Sequence, residues 1–310
     1  MDEIERWEDL SGSGVDERLQ RLGDFTRQAD RVVSGDPHDQ DASLLAAVSF
    51  SSASTASLLP WVRNRSLVSG PFNFSTFLSV LVPGYSLVTA AHGEGYITKV
   101  RGLPSFIDGW IDGLRAGLAE GHKATARGIT SVIAEFDRML DTEVSLDPLV
   151  GQRPPSELTA ADVEKWRNDL VTAVGESARP AIRRLRDVLQ HELFPGANSD
   201  ERPGLCHLPD GARAYEDLLF AATSTNLGAE AVHEIGVEQL GRLDDEYRQL
   251  AGPVLGVDDP QLMRDRLRSD TDLQYTSTRD ITRDLQSMLD RARLEAPHWF
   301  GRLPRAECDI

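Results

Sequence analysis

One residue period runs through almost the whole chain. Apolar side chains recur every three or four positions, and no run alternates with period two over several residues. The pattern predicts an all-α fold, a multi-helix array without a central sheet. The clearest stretch runs from Gly228 to Leu250, where Val232, Ile235, Leu240, Leu243, Tyr247 and Leu250 form one apolar stripe. Glu230, Glu234, Asp244, Asp245 and Arg248 fill the opposite side. Gly252-Pro253 predicts the stop, a residue free to turn followed by one that cannot continue the ladder. A stripe of this kind predicts burial, so Leu240→Asp is expected to place a charge in a packed face.

Other helices follow from their ends. Pro104 reads as a first helical residue, followed by Phe106, Ile107, Trp110, Ile111, Leu114 and Leu118. Ile129, Val132, Ile133, Phe136, Met139 and Leu140 mark the next helix. Thr159 with Asp162, and Ser277 with Asp280, have the spacing of capping boxes. Asp259-Pro260 opens a short helix, Pro180 kinks or restarts one, and Phe194-Pro195-Gly196 ends it. Ser49 to Ser57 is Ser-rich and weakly patterned. Loops are expected at 34–41, 69–74, 141–158 and 195–212. The chain reads as one helical domain over 1–310, with 141–158 (Pro148, Pro154, Pro155) as the candidate subdomain hinge.

Charge narrows the partners. Lys and Arg number 33 against 50 Asp and Glu, a net charge of −17. Such a field opposes general binding to nucleic acid or to an anionic membrane surface. The acidic start, MDEIERWEDL, has no basic and apolar leader pattern, and no stretch approaches the ~20 apolar residues of a membrane span. A cytoplasmic location is the simplest expectation. The two cysteines, Cys206 and Cys308, form no disulfide framework or metal-spaced set.

Each candidate motif has an ordinary reading beside its chemical one. A helical zinc site needs a second imidazole one turn after the first, but His191-Glu192 has Pro195 there and His233-Glu234 has Val237. Cys206-His207 would need two distant partners. Arg179, Arg183, Arg184 and Arg186 form the one dense basic patch, read as a helix surface rather than an anion site. Gly109, Gly113, Gly117 and Gly121 recur every four residues and should admit a neighbouring helix or a substrate backbone at close range. There is no Gly-x-Ser-x-Gly, no P-loop and no Gly-x-Gly-x-x-Gly.

Residues 203–250 carry a longer pattern: Gly204-Leu205, Leu208-Pro209-Asp210-Gly211, Tyr215, Leu218-Leu219, Thr223-Ser224-Thr225 and His233-Glu234-Ile235-Gly236. Together with Trp299-Phe300-Gly301-Arg302-Leu303-Pro304-Arg305-Ala306, it resembles the bacterial family catalogued as domain of unknown function 885. Gly102 to Leu140 looks like that family's helix pair. The resemblance implies the N-terminal half of a fold like that of thermostable-carboxypeptidase zinc peptidases, incomplete relative to the family. The family's zinc signature, His-Glu-x-x-Pro-Gly-His, lies beyond the Trp-Phe-Gly phrase and is not in this sequence. Its Thr-rich turn usually follows a His, where this chain has Ala222.

Two expectations follow. The first is the non-metal-bearing, N-terminal part of a zinc-dependent peptidase or hydrolase, inactive alone, with no catalytic, cofactor-binding or metal-ligating residue of its own. In it Tyr215, Thr223 and Thr225 line a cleft for a peptide-like ligand, and the partner is a C-terminal half or a second copy. The alternative is a stand-alone helical binding or scaffold protein that has lost the zinc site.

Overall fold

The computed structural model describes residues 4–32, 40–63 and 74–306. Cys308, and parts of the loops expected at 34–41 and 69–74, lie outside the described residues. The chain is 75% helical, and among the described residues the one β-type pairing is an isolated parallel bridge between Thr125 and Asn198. It divides into two compact units, Met1–Ala229 and Glu230–Ile310.

The first unit holds α1 (Gly12–Val32), α2 (Gln40–Arg63), α3 (Phe74–Thr76), α4 (Ala90–Ala119), α5 (Ala126–Asp141), α6 (Ala160–Ala173), α7 (Arg179–Val188) and α8 (Gly211–Thr223). Its core is built around α4. Tyr96, Leu103 and Ile107 are fully buried there, against Ile129 and Phe136 of α5, Leu170 of α6 and Ile182 and Leu185 of α7. The α6–α7 passage carries Pro180 without a break. A π turn over Val174–Ala178 takes up the irregularity, and a second follows at Leu189–Leu193, as expected where a ladder bond is missing.

α4 is longer than its sequence signals. It starts at Thr89, whose hydroxyl accepts from the His92 backbone while the His92 ring accepts from the Thr89 N–H. This is a capping box with histidine in the third position, so Pro104 lies inside the helix rather than at its head. The helix ends by design: Gly121 (φ +85°) follows the cap, the His122 N–H reaches the Gly117 carbonyl at 2.8 Å, and the Gly121 N–H reaches Leu118 at 3.1 Å.

Of the four-residue series Gly109 takes a close neighbour, together with Gly95 and Gly102 at steps of seven. Residues 4–11 lie against the helix, with Ile4 and Glu5 at Gly95, Trp7 at Gly102 and Leu10 at Gly109. The steps match physically: seven helical residues rise about 10.5 Å, and three extended residues span about 10 Å. A Cβ on Gly102 would lie 3.3 Å from Trp7, and one on Gly109 would lie 3.4 Å from Leu10. The Trp7 indole donates to the Lys99 carbonyl at 2.6 Å, just before the turn that Pro104 deprives of an N–H. It also stacks on Phe106 at 4.5 Å. Lys99 returns its ammonium to the Arg6 carbonyl at 2.5 Å, 4.2 Å above the Trp7 ring, and burial lowers its pKa. The close neighbour at Gly109 is thus the chain's own N-terminal segment.

The 141–158 segment, expected as a hinge, lies inside the first unit. Leu149 and Val150 are buried, Tyr96 donates to the Leu149 carbonyl at 3.1 Å, and Arg167 donates to that of Val150 at 3.0 Å. Buried Asp147 accepts from Arg179 Nε at 3.1 Å, and Arg179 also reaches the carbonyls of Met139 (2.9 Å) and Thr142 (2.6 Å). The basic patch is dispersed in the same way, Arg184 to Asp108 at 2.7 Å and Arg186 to Asp137 at 2.8 Å. These arginines tie helices together.

The Ser-rich stretch 49–57 is helical, within α2. Two of its hydroxyls turn back on the helix, Thr55 to the Ser51 carbonyl and Ser57 to that of Ser54, while Ser49 donates to Asp30 of α1 at 2.5 Å. Over Asp41–Leu59 this helix is long and apolar enough to cross a membrane by length and composition, with mean hydropathy 1.4. The serines interrupt the apolar run and hid this from the sequence reading. Within the unit α2 packs on α1 and α8, with Phe50 edge-on to Phe220 at 5.5 Å.

The second unit holds α9 (Ala229–Leu255), α10 (Pro260–Ser269) and α11 (Thr278–Trp299). Asp259 and Ser277 cap α10 and α11 as their spacing predicts. α9 runs past Gly252-Pro253 and stops at Gly256 (φ +67°). Its stripe corrects the burial expectation. Leu240 is 66% exposed, Leu243 and Leu250 are exposed too, and the unit buries only Gly252, Pro260 and Met263 among its described helical residues. The period fixed the helix, but no element of this unit covers the face. Leu240→Asp in dilute solution should therefore change the unfolding free energy by no more than about 0.5 kcal/mol, measured by denaturant titration. A loss of several kcal/mol would show that the face is covered.

Candidate functional site

The Thr-rich turn is built by the C-terminus of α8. Ser224 takes a left-handed conformation (φ 55°) and its N–H closes on the Phe220 carbonyl at 2.8 Å. That reversal puts Thr225 back beside Thr223, with hydroxyl oxygens 3.0 Å apart. Thr223 also donates to the Leu219 carbonyl at 2.7 Å and accepts the Thr225 N–H at 3.3 Å. Tyr215 stands two turns earlier on the same helix, 46% exposed. The structure thus joins Thr223 to Thr225 directly and sets Tyr215 along the same helix. At the other end of α8, Asp210 (φ 52°) and Gly211 fold the Leu-Pro-Asp-Gly phrase under the 3₁₀ turn Leu205–His207.

A second recess was not legible in the sequence, because one wall is the N-terminal segment folded back over α4. This groove, about 790 Å³, has Trp7, Leu10, Phe106 and Gly109 among its walls, with Asp9 and Asp112 at its edges. Its carboxylates are engaged. Glu8 pairs with Arg18, Asp108 with Arg184, and Asp112 with Arg115 at 3.8 Å. Asp9 accepts the Ser11 N–H at 2.8 Å, which lowers its pKa.

The histidines stay apart from any ligand set. His191 and Glu192 lie in the π turn after α7, where Glu192 takes a two-pronged bond from Arg115, both contacts 2.8 Å. That hydrogen bond holds the Glu192 carboxylate below its usual pKa. His207 sits in the 3₁₀ turn, and His233 lies on the exposed surface of α9. Among the described residues no three His, Cys, Asp or Glu side chains gather in metal-holding geometry. The donors among the described residues do not make up a zinc-holding set.

In the second unit α9 and α10 enclose an apolar trough of about 420 Å³, lined by Leu243, Tyr247, Leu250, Val254 and Leu267 among others.

Comparison with known proteins gives one family and a fold. The family described as "Bacterial protein of unknown function (DUF885)" matches residues 2–310. No curated protein matches. Among solved structures, "The crystal structure of the putative lipoprotein from Colwellia psychrerythraea" overlays with a TM-score of 0.67 at 12% identity, over 94% of this chain and 54% of that one. The chain spans about half the length of that solved protein.

Proposed function

Because the chain belongs to the DUF885 family of bacterial proteins, we propose that it is the non-metal-bearing, N-terminal part of a zinc-peptidase-like protein, forming one wall of a cleft for a peptide-like ligand. The observation that supports this is the end of α8, where the Thr223 and Thr225 hydroxyls lie 3.0 Å apart beyond an exposed Tyr215. With the Thr223 proton held by the Leu219 carbonyl, the Thr225 hydroxyl oxygen can accept from a peptide N–H and the exposed Tyr215 hydroxyl can donate to a peptide carbonyl. They do not generate a nucleophile at neutral pH or polarise a scissile carbonyl, which a zinc peptidase leaves to its metal. Zinc and the general base belong, in this reading, to residues outside this chain. The shared fold, 94% of this chain on 54% of the solved one, accords with it.

Purified residues 1–310 should show no turnover of peptide substrates, with recovery on co-expression of a C-terminal half bearing His-Glu-x-x-Pro-Gly-His. Turnover by this chain alone that survives exhaustive chelation would overturn the reading. The second reading, a stand-alone helical binding or scaffold protein, draws on the closed core of the first unit, where Leu78, Leu103, Ile107 and Leu170 are fully buried. Cooperative melting of a monodisperse product that gains no activity from any co-expressed half would favour it.

A further inference from the structure

The first N–H groups of a helix have no partner within it and draw acceptors from nearby side chains. In most capping boxes the third residue is Glu or Gln, whose side-chain oxygen accepts across the neutral pH range. At the start of α4 that residue is His92. Its Nδ1 accepts two backbone N–H groups, that of Val88 at 3.2 Å and that of Thr89 at 3.4 Å. We propose that this start is an acid-sensitive joint, held while the His92 ring is neutral and released when the ring takes a proton. A ring nitrogen that accepts carries no hydrogen, so the neutral ring bears its hydrogen on Nε2. A second proton must go to Nδ1, the atom both donors face, and it turns their acceptor into a third donor. The charge it brings falls at the positive end of the helix, where a cation is disfavoured. Proton and cap exclude each other. Opening the cap therefore takes up a proton, and acid favours opening. Imidazole is the side chain that ordinarily changes charge between pH 5 and 8, and His92 is half-buried rather than sealed in the core.

The cap holds more than its own turn. The Val88 peptide is gripped from both sides, its N–H by His92 and its carbonyl by the Ser156 hydroxyl at 3.3 Å and the Glu157 N–H at 3.2 Å. One residue past His92, the Gly93 carbonyl accepts the buried Trp166 indole at 3.0 Å, and Pro155 lies where a Gly93 Cβ would stand. Release at His92 is thus passed to residues 153–158 and to α6. The carboxylates that the surrounding stretches bring toward the joint are Glu94 on α4, Glu5 of the N-terminal segment, Glu157, and Asp162 of α6, which bonds Thr159 at 2.6 Å. The cations are Arg153, Lys165 and Arg167, the last donating to the Val150 carbonyl, and Tyr85 precedes the turn. Among the described residues no carboxylate forms an ion pair with His92, so none compensates a charge placed there.

Hydrogen exchange of the full chain at pH 7.5 and 5.5, corrected for the intrinsic pH dependence of exchange, tests this. Protection over residues 86–96 should fall about fivefold at the lower pH, the typical factor for losing an N-cap. The start of α5, capped by Thr125 without a histidine ring, should keep its protection. His92→Gln, whose amide oxygen fills the box and does not titrate, should retain the neutral-pH protection and erase the change. His92→Ala should lack that protection at both pH values. His122→Gln, beyond the far end of α4, should leave the change in place. The proposal is overturned if the parent loses no protection, if His92→Gln still loses it, or if His92→Ala is protected like the parent at pH 7.5. A loss that disappears with Glu157→Gln or His122→Gln would assign the titration to those groups and overturn it as well.

Discussion

Arg179→Ala should lower the unfolding free energy by about 3–5 kcal/mol, the range for breaking a buried ion pair from one side. The Asp147 carboxylate has no solvent-exposed surface, and Arg179 is one-tenth exposed. Removing the guanidinium leaves that charge buried and also strips the donors from the Met139 and Thr142 carbonyls at the end of α5, which that helix cannot satisfy itself. Asp147 keeps only the Leu149 N–H at 3.1 Å. Guanidinium titration should show the midpoint falling with an unchanged slope. Replacing both partners, Arg179→Met with Asp147→Leu, should cost less than either single change, because no charge is then stranded. A loss below 1 kcal/mol for Arg179→Ala would mean that the pair is solvated.

Gly211→Ala should be the most damaging single methyl in the chain. A Cβ there would lie 1.6 Å from the Leu205 carbonyl oxygen and 2.6 Å from its carbon. Those are backbone atoms that cannot rotate away, so the 3₁₀ turn Leu205–His207 must move or α8 must lose its start. A cost of about 3 kcal/mol or more is expected, with faster amide exchange over 204–211. Gly236→Ala supplies the contrast. It sits within α9 with nothing within 4 Å, so alanine there should stabilise by roughly 0.5–1 kcal/mol through helix propensity alone. Equal melting temperatures for the two variants would discard the close-approach argument.

The helical class could be read from the sequence because period and caps are local properties. Thr159, Asp259 and Ser277 cap the helices their spacing announced. The start of α4 escaped because His92 plays the part that Glu or Gln usually takes, and α2 escaped because its serines interrupt the apolar run and leave no stripe. What each stripe faces is not a local property. Phe136 and Leu240 belong to equally regular patterns, yet one is fully buried and the other two-thirds exposed, since covering depends on distant elements. The site divides in the same way. Thr223-Ser224-Thr225 was visible as a phrase, whereas the groove beside α4 needs residues 7–12 to return to a helix almost a hundred positions later. The arginine patch could not reveal that Arg179, Arg184 and Arg186 each have a carboxylate of their own.

The register of residues 4–10 on Gly95, Gly102 and Gly109 sets an order of events in folding. The bonds that hold it, Trp7 to Lys99 and Lys99 to Arg6, join residues 92 and 93 positions apart. Closing a loop of that length has an entropic cost before any contact rewards it. The glycines also present a seven-residue spacing only after α4 is wound. The N-terminal clasp therefore forms late and releases early, so its side chains govern how fast the native state opens and leave the rate of its formation almost untouched.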